Sequence, residues 1–241
     1  LVWIPLMATG QPEAKDSTRF RDGCLLRDVL QRQMILYGGF RAVDKLNSIL
    51  ISGTHFKDGI QYEFLIRRKR PAYMRYGLRH GSHLAEAGYD GQFGWLRVVK
   101  LGVSEVKPLL GEPLQALKYE ADFDGPLLRF FDDSEATVSI HSMQRIGGEE
   151  VYVVRVVSLH SPERLYYLNK QSSFLLRVET LGESGELLLQ TIYRDYRFIG
   201  GFPFAFEVEN RVDGETVALS QIKEVEVDPG LLSFMFEMPE H

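Results

Sequence analysis

Over 48–99 and 136–226 apolar residues recur at alternate positions, in runs of six to thirteen residues separated by short turn-forming segments. A side-chain period of two puts alternate residues on opposite faces of a strand, so such runs are half-buried strands rather than helices. In 61–67, Tyr62, Phe64 and Ile66 alternate with Gln61, Glu63, Leu65 and Arg67, and in 72–79 Ala72, Met74, Tyr76 and Leu78 alternate with Tyr73, Arg75, Gly77 and Arg79. Ten more strands are predicted at 48–55, 82–88, 93–99, 136–141, 150–158, 163–169, 174–181, 186–198, 204–211 and 215–226. The breaks are short: Asp90-Gly91, Gly147-Gly148, Asn169-Lys170-Gln171, Gly182-Glu183-Ser184-Gly185 and Asp213-Gly214. Turns of that kind join neighbouring antiparallel strands, so the pattern predicts a meander.

The period is helical in two places. Leu25, Leu26, Val29, Leu30, Met34 and Tyr37 share one face of a helix over 22–37, with Asp22 as its N-cap, and Gly38-Gly39 ends it. Phe40, Val43 and Leu46 then suggest a short second helix. Pro113 opens a third helical segment, with Leu114, Leu117 and Ala121 on one side, before Asp124-Gly125-Pro126 stops it. The fold class predicted is mainly β: one large curled antiparallel sheet of roughly a dozen strands, an incomplete β-barrel, with helices packed on or in its concave face. A sheet that wide accumulates twist and must curl, and its concave face must be filled by helices or by a ligand. The expected organisation is an N-terminal extension or linker over 1–21 and one domain over 22–241.

Composition sets outer bounds. With 28 Lys+Arg against 33 Asp+Glu the net charge is −5, and nucleic acid is excluded as a partner expected on charge alone. Cys24 is the only cysteine, so an intrachain disulfide and a cysteine-based zinc site are both impossible. The apolar stretch Leu1–Ala8 is far short of the roughly 20 residues that span a bilayer, so no transmembrane segment is expected. Ala8-Thr9-Gly10 has the small-x-small pattern of a signal-cleavage end; the alternative is an apolar segment packing on the domain.

No nucleotide-binding loop, metalloprotease helix or nucleophile elbow is present, so no cofactor is expected. His80 and His83 are read as exposed turn histidines, Asp132-Asp133 with Glu135 as a solvated acidic loop, and Asp90 as a turn residue. No metal site and no catalytic acid–base pair can be placed, and the chain is not expected to be an enzyme. Arg67-Arg68-Lys69-Arg70, with Arg75 and Arg79, is the one dense basic cluster. It reads either as a charged strand face or as a contact for an anionic group.

Several of these segments, taken in order, resemble the bacterial outer-membrane lipoprotein-sorting (LolA-like) superfamily. They are Gly38-Gly39-Phe40-Arg41-Ala42-Val43-Asp44-Lys45-Leu46 leading to a strand with Gly53, then Lys69-Arg70-Pro71-Ala72-Tyr73-Met74-Arg75, then Gly88-Tyr89-Asp90-Gly91-Gln92-Phe93-Gly94-Trp95. Asp122-Phe123-Asp124-Gly125-Pro126-Leu127, Tyr166-Tyr167-Leu168-Asn169, Tyr193-Arg194-Asp195-Tyr196, Gly200-Gly201-Phe202-Pro203 and Phe234-Met235-Phe236-Glu237-Met238-Pro239 continue it over residues 38 to 239. The resemblance implies a half-barrel around a hydrophobic cavity with a helical lid, a periplasmic location in the bacterial envelope, and lipid or lipoprotein acyl chains as the partner. The matching motifs are structural turns, so no functional residue is carried over from the family.

The expected site is therefore a groove between the sheet and the segments 22–47 and 109–128. Phe64, Met74, Tyr76 and Trp95 are its expected strand lining, Leu114 and Leu117 its lid, and Arg67, Arg68 and Arg75 its head-group or partner contacts. The alternative is an interaction or envelope-stress sensor module whose groove is filled by its own side chains and whose partner is another envelope protein.

Overall fold

The computed structural model describes residues 14–131, 136–158 and 161–240; the apolar stretch 1–8, the 8–10 cleavage pattern and the acidic loop 132–135 lie outside them. Thirteen antiparallel strands form one open sheet among the described residues. They are β1 (Ser48–Lys57), β2 (Ile60–Lys69), β3 (Tyr73–His80), β4 (His83–Tyr89), β5 (Gly94–Lys100), β6 (Val103–Leu109), β7 (Thr137–Ile146), β8 (Glu149–Ser158), β9 (Ser161–Asn169), β10 (Leu175–Leu181), β11 (Leu187–Ile199), β12 (Phe202–Val212) and β13 (Glu215–Val227). Their spatial order is β6-β5-β4-β3-β2-β1-β13-β12-β11-β10-β9-β8-β7. Pairing of β1 with β13 joins two meanders side by side, leaving β6 and β7 as the edges.

Every strand expected from the alternation is present, and the one expected to end at 141 runs on to Ile146. The strand not expected is β6. Its turn is Leu101-Gly102, both with positive φ (49° and 81°), and Leu carries no turn signature, while Pro108 inside the run argues against a strand. An edge tolerates Pro because one side of an edge strand has no ladder to feed.

The helices are α1 (Ala14–Leu36), α2 (Phe40–Lys45), α3 (Gly111–Ala121) and α4 (Gly125–Leu128), followed by a 3₁₀ turn (Arg129–Phe131). Helix α1 starts before Asp22, which therefore lies inside it rather than capping it, and part of the stretch expected as linker is helical. Its C-terminus is closed as expected, Gly39 N–H donating to the Met34 carbonyl (2.9 Å). The segment 110–136 links the two edge strands, so α3 and α4 cross one face of the sheet from the β6 edge to the β7 edge.

Helices pack on that face in two apolar clusters. Leu26, Val29 and Leu30 of α1 and Leu127 of α4 bury against Tyr152, Val154, Val156, Tyr166, Leu168 and Val178 of β8–β10. Leu46 and Phe123 bury against Ile49, Phe202, Phe206 and Val225 near the β1–β13 junction. The opposite face is covered at β3–β5 by the C-terminal 3₁₀ turn (Ser233–Phe236): Phe236 is fully buried, its carbonyl accepts from Trp95 Nε1 (2.8 Å), and its ring lies 5.5 Å from that of Tyr73.

Farther along the same opposite face, buried Glu209 accepts from Arg211 Nε (2.6 Å), Arg194 Nη2 (2.7 Å) and the Thr216 hydroxyl. The Arg211 hydrogen bond is the largest influence holding this carboxyl down at about 2, against an ordinary 4.5. A depressed carboxyl stabilises the fold above its unfolded value and loses that contribution as pH falls through the folded one. Glu209→Gln should therefore cost about 1–3 kcal/mol at pH 7 in urea melts. The gap to the unsubstituted chain should close as pH falls from 5 toward 2; a gap that persisted at pH 2 would mean the charge is not its source.

Candidate binding site

Strand register assigns side chains to faces. Arg68 pairs with Met74, Ile66 with Tyr76 and Phe64 with Leu78, while Met74 pairs with Tyr89 and Tyr89 with Gly94. The helices identify the face. A Cβ on Gly94 would lie 2.6 Å from Leu114 Cδ1 and 3.5 Å from Leu117 Cδ2, so α3 rests directly on the β5 backbone there. Lys118 of α3 stands over the Tyr89 ring, and Arg68 Nη2 donates to the Asp122 carbonyl (2.6 Å) just past α3. Phe64, Ile66, Arg68, Met74, Tyr76 and Leu78 thus belong to the helix-covered face.

Alternation sends their neighbours to the other side. Arg67 pairs with Arg75, Arg75 with Gly88 and Gly88 with Trp95. Trp95 is fully buried beneath the C-terminal turn, with the Arg75 guanidinium 5.2 Å from its ring centroid. Arg75 grips buried Glu86 through Nη2 (2.9 and 3.1 Å) and donates to the Met235 carbonyl. Arg67, Arg79 and Lys223 line an open cleft of about 490 Å³ on this face, together with Glu63 and Glu86. The structure therefore brings Phe64, Met74, Tyr76, Leu114, Leu117 and Arg68 to one face and places Trp95, Arg67 and Arg75 on the other.

The helix-covered face has three zones. Over β7–β10 it is filled by α1 and α4. Over β2–β5, Ile66, Met74, Tyr76, Leu78 and Leu96 are only half-buried, and α3 lies on this face over β3–β5, its half-buried Leu114 and Leu117 seated on Gly94. Phe64 closes the far end of this wall, its ring lying where a Gly53 side chain would be, 2.7 Å from that Cβ position. Burial pushes the Tyr76 hydroxyl up to about 12, the mark of a low-dielectric surrounding.

Between the two zones lies a cavity of about 270 Å³ under α3 and α4, and its lining is mixed, with Leu127, Leu175, Val178 and Leu189 beside a cluster of polar side chains. Gln33, Tyr37, Arg68, Tyr119, Arg164, Tyr166 and Tyr193 meet there. The Tyr119 and Tyr166 hydroxyls are hydrogen-bonded to each other, and the Arg164 guanidinium stacks 3.5 Å above the Tyr119 ring. Burial raises Tyr37, Tyr119, Tyr166 and Tyr193 above the ordinary phenol value, so all four stay protonated donors. Of these residues the sequence reading picked only Arg68. Arg164 and Tyr166 stand two apart on β9 and so share a face, but nothing local tells which face, and Gln33 and Tyr37 reach them only through helix packing.

The other sequence candidates fall outside this site. His80 and His83 are opposed across the β3–β4 turn, and His80 Nδ1 lies 2.8 Å from the Gln61 carbonyl. Asp90 Oδ1 accepts from the Gln92 and Phe93 amides (2.9 and 2.7 Å), the turn role expected of it. Cys24 is exposed and free. Among the described residues no group of three or more His, Cys, Asp or Glu could hold a metal ion, and no helix is long and apolar enough to cross a membrane.

No protein-family model and no curated protein sequence matches the chain. Solved structures do. A DUF1329 family protein from Desulfovibrio piger superposes with TM-score 0.62 at 12% identity, covering 88% of this chain and 97% of that one. A LolA superfamily protein from Nitrosomonas europaea gives 0.61 at 14% identity, with 88% and 97% covered. A domain from Vibrio parahaemolyticus described as an outer-membrane lipoprotein-sorting protein gives 0.51 at 13% identity, again with 88% and 97% covered. At these identities the likeness is one of fold, and it extends over nearly the whole of each neighbour. The chain has the LolA-like fold: an open antiparallel sheet, not closed into a barrel, with helices laid across one face.

Proposed function

We propose that the protein is a binding protein of the bacterial envelope that holds the apolar chain of a lipid, a lipoprotein anchor or another long amphiphile between α3 and strands β2–β5. One observation carries the reading. The wall of Ile66, Met74, Tyr76, Leu78 and Leu96 is apolar yet only half-buried, and its cover is a single helix of 11 residues seated on Gly94 by two leucines. A filled core would leave such side chains sealed, as Leu30, Val154 and Leu168 are in the α1 zone. Each buried CH₂ of a ligand chain contributes about 0.8 kcal/mol, so a groove of this kind repays lifting the helix. The LolA-like fold and the family resemblance of the motifs agree with a carrier in the envelope, and the absence of a placeable acid–base pair favours binding over catalysis.

Leu117→Asp should abolish uptake of a fluorescent fatty acid while the strand signal in circular dichroism persists, because the carboxylate would sit in the chain's path but outside the sealed cores. Unchanged uptake would show that the chain does not lie under α3. Native mass spectrometry of the purified protein, followed by organic extraction, would identify any amphiphile it carries.

The interaction-module reading has its own support in the zone over β7–β10, where α1 fills the groove with Leu26, Val29 and Leu30, and in the open basic cleft of Arg67, Arg79 and Lys223 on the other face. A protein that emerged empty and took up no fatty acid would favour it.

A further inference from the structure

The polar cavity beside the apolar wall holds buried polar atoms with no partner. Arg68 Nε, Arg164 Nη1 and Gln33 Oε1 are sealed from solvent and unbonded, and all three residues line this one cavity. Gln33 is 4% exposed. Burying two guanidinium N–H groups without acceptors, beside an amide oxygen without a donor, costs free energy that an isolated fold has no reason to spend in one place.

From this we infer that the cavity is the seat of an anionic head group, a carboxylate or phosphate, whose apolar chain runs along the wall beneath α3. The inference rests on the binding reading above and names the ligand class for it. Two arginines in reach of one site form the donor set that oxyanions select, and the Tyr37 and Tyr193 hydroxyls, with the one proton the Tyr119–Tyr166 pair has left, add neutral donors. The Gln33 amide can turn its NH₂ toward the same point. Three carboxylates also border the cavity. Asp124 is engaged bidentately by Arg70, Asp122 is 3.3 Å from Arg129 Nη1, and Glu120 is exposed at the rim. Two of the three thus carry their own cations, while Glu120 acts on Arg68, whose Nη2 is already bonded to the Asp122 carbonyl; the donors open to an incoming anion are Arg68 Nε and Arg164 Nη1.

Geometry links head and chain. Arg68 is the direct cross-strand partner of Met74, so the last cationic residue of the cavity abuts the first apolar residue of the wall. An amphiphile with one acidic head and one chain would place its head at Arg68 and start its chain at Met74.

Isothermal titration of the full chain with dodecanoate, dodecanol and inorganic phosphate tests this. Dodecanoate should bind at least tenfold tighter than dodecanol, and Arg164→Gln should reduce that preference to about twofold or less while leaving dodecanol binding intact. Equal affinity for acid and alcohol in the unsubstituted chain would overturn the head-group site and leave the apolar groove standing, and this comparison needs no variant to fold. Phosphate binding as tightly as dodecanoate would support the anion site and make a free oxyanion its ligand, against the groove. Binding of none of the three would overturn both.

Discussion

An Arg70→Ala chain should lose about 3–5 kcal/mol of stability and, with it, the docking of α2 and of the loop between α3 and α4, seen as a large fall in the urea midpoint. Arg70 opens the β2–β3 connection and spends its guanidinium on two segments at once, α2 with its C-cap and the loop between α3 and α4. Nη2 donates to the Val43 carbonyl and to Asp124 Oδ1 (2.6 Å each), Nε to the Leu46 carbonyl (2.6 Å), and Nη1 to Asp124 Oδ2. Its carbon centre also lies 4.9 Å from the centroid of the buried Phe123 ring. Truncation removes all of this and strands Asp124, whose side chain is 18% exposed, without its cation. Arg70→Lys should recover little, because an ammonium cannot reproduce the bidentate fork and the two carbonyl bonds together. A loss below 1 kcal/mol would mean that α2 and α4 are held by Phe123 and Leu127 alone.

The sheet was legible in the sequence because its cause is local. Alternation over 61–67 or 186–198 is a property of the strand itself, and pairs such as Asp213-Gly214, both at positive φ (51° and 83°), dictate the hairpin by their own backbone preference. Where those local signals failed, at Leu101-Gly102 and Pro108, the strand was missed. The site was less legible, because it depends on which face of the sheet the helices choose. Alternation separates Arg67 from Arg68 and Trp95 from Gly94, yet it is symmetric between the two faces. The packing of the helices on one face, as in the contact of α3 with Gly94, breaks that symmetry, and it leaves Trp95, the largest aromatic of the set, beneath the C-terminal turn. The polar cavity was the least legible part: Gln33, Arg68, Tyr119 and Arg164 come from four separate elements, and no spacing in the chain relates them.

Leu30→Ala should cost about 2–5 kcal/mol, since Leu30 is wholly buried in the cluster that α1 builds against β8–β10 and the helix cannot collapse into the space its side chain leaves. The same substitution distinguishes the two readings of the groove. If α1 is a permanent part of the core, the variant is simply less stable, and its affinity for dodecanoate matches that of the unsubstituted chain. If instead the α1 zone is an extension of the binding groove that the helix occupies in the absence of cargo, enlarging it should tighten binding of longer acyl chains, because less contact must be surrendered for the chain to enter. Leu30 and Tyr166 belong to one buried cluster, and Tyr166 also lines the cavity, so the two zones share a wall and the second outcome would extend the head-group site. Measuring urea stability together with dodecanoate and hexadecanoate affinity on one preparation decides between them. A stability loss with unchanged affinity for both acids fixes α1 as core and confines the ligand to the span of α3, whose 11 residues cover about 16 Å.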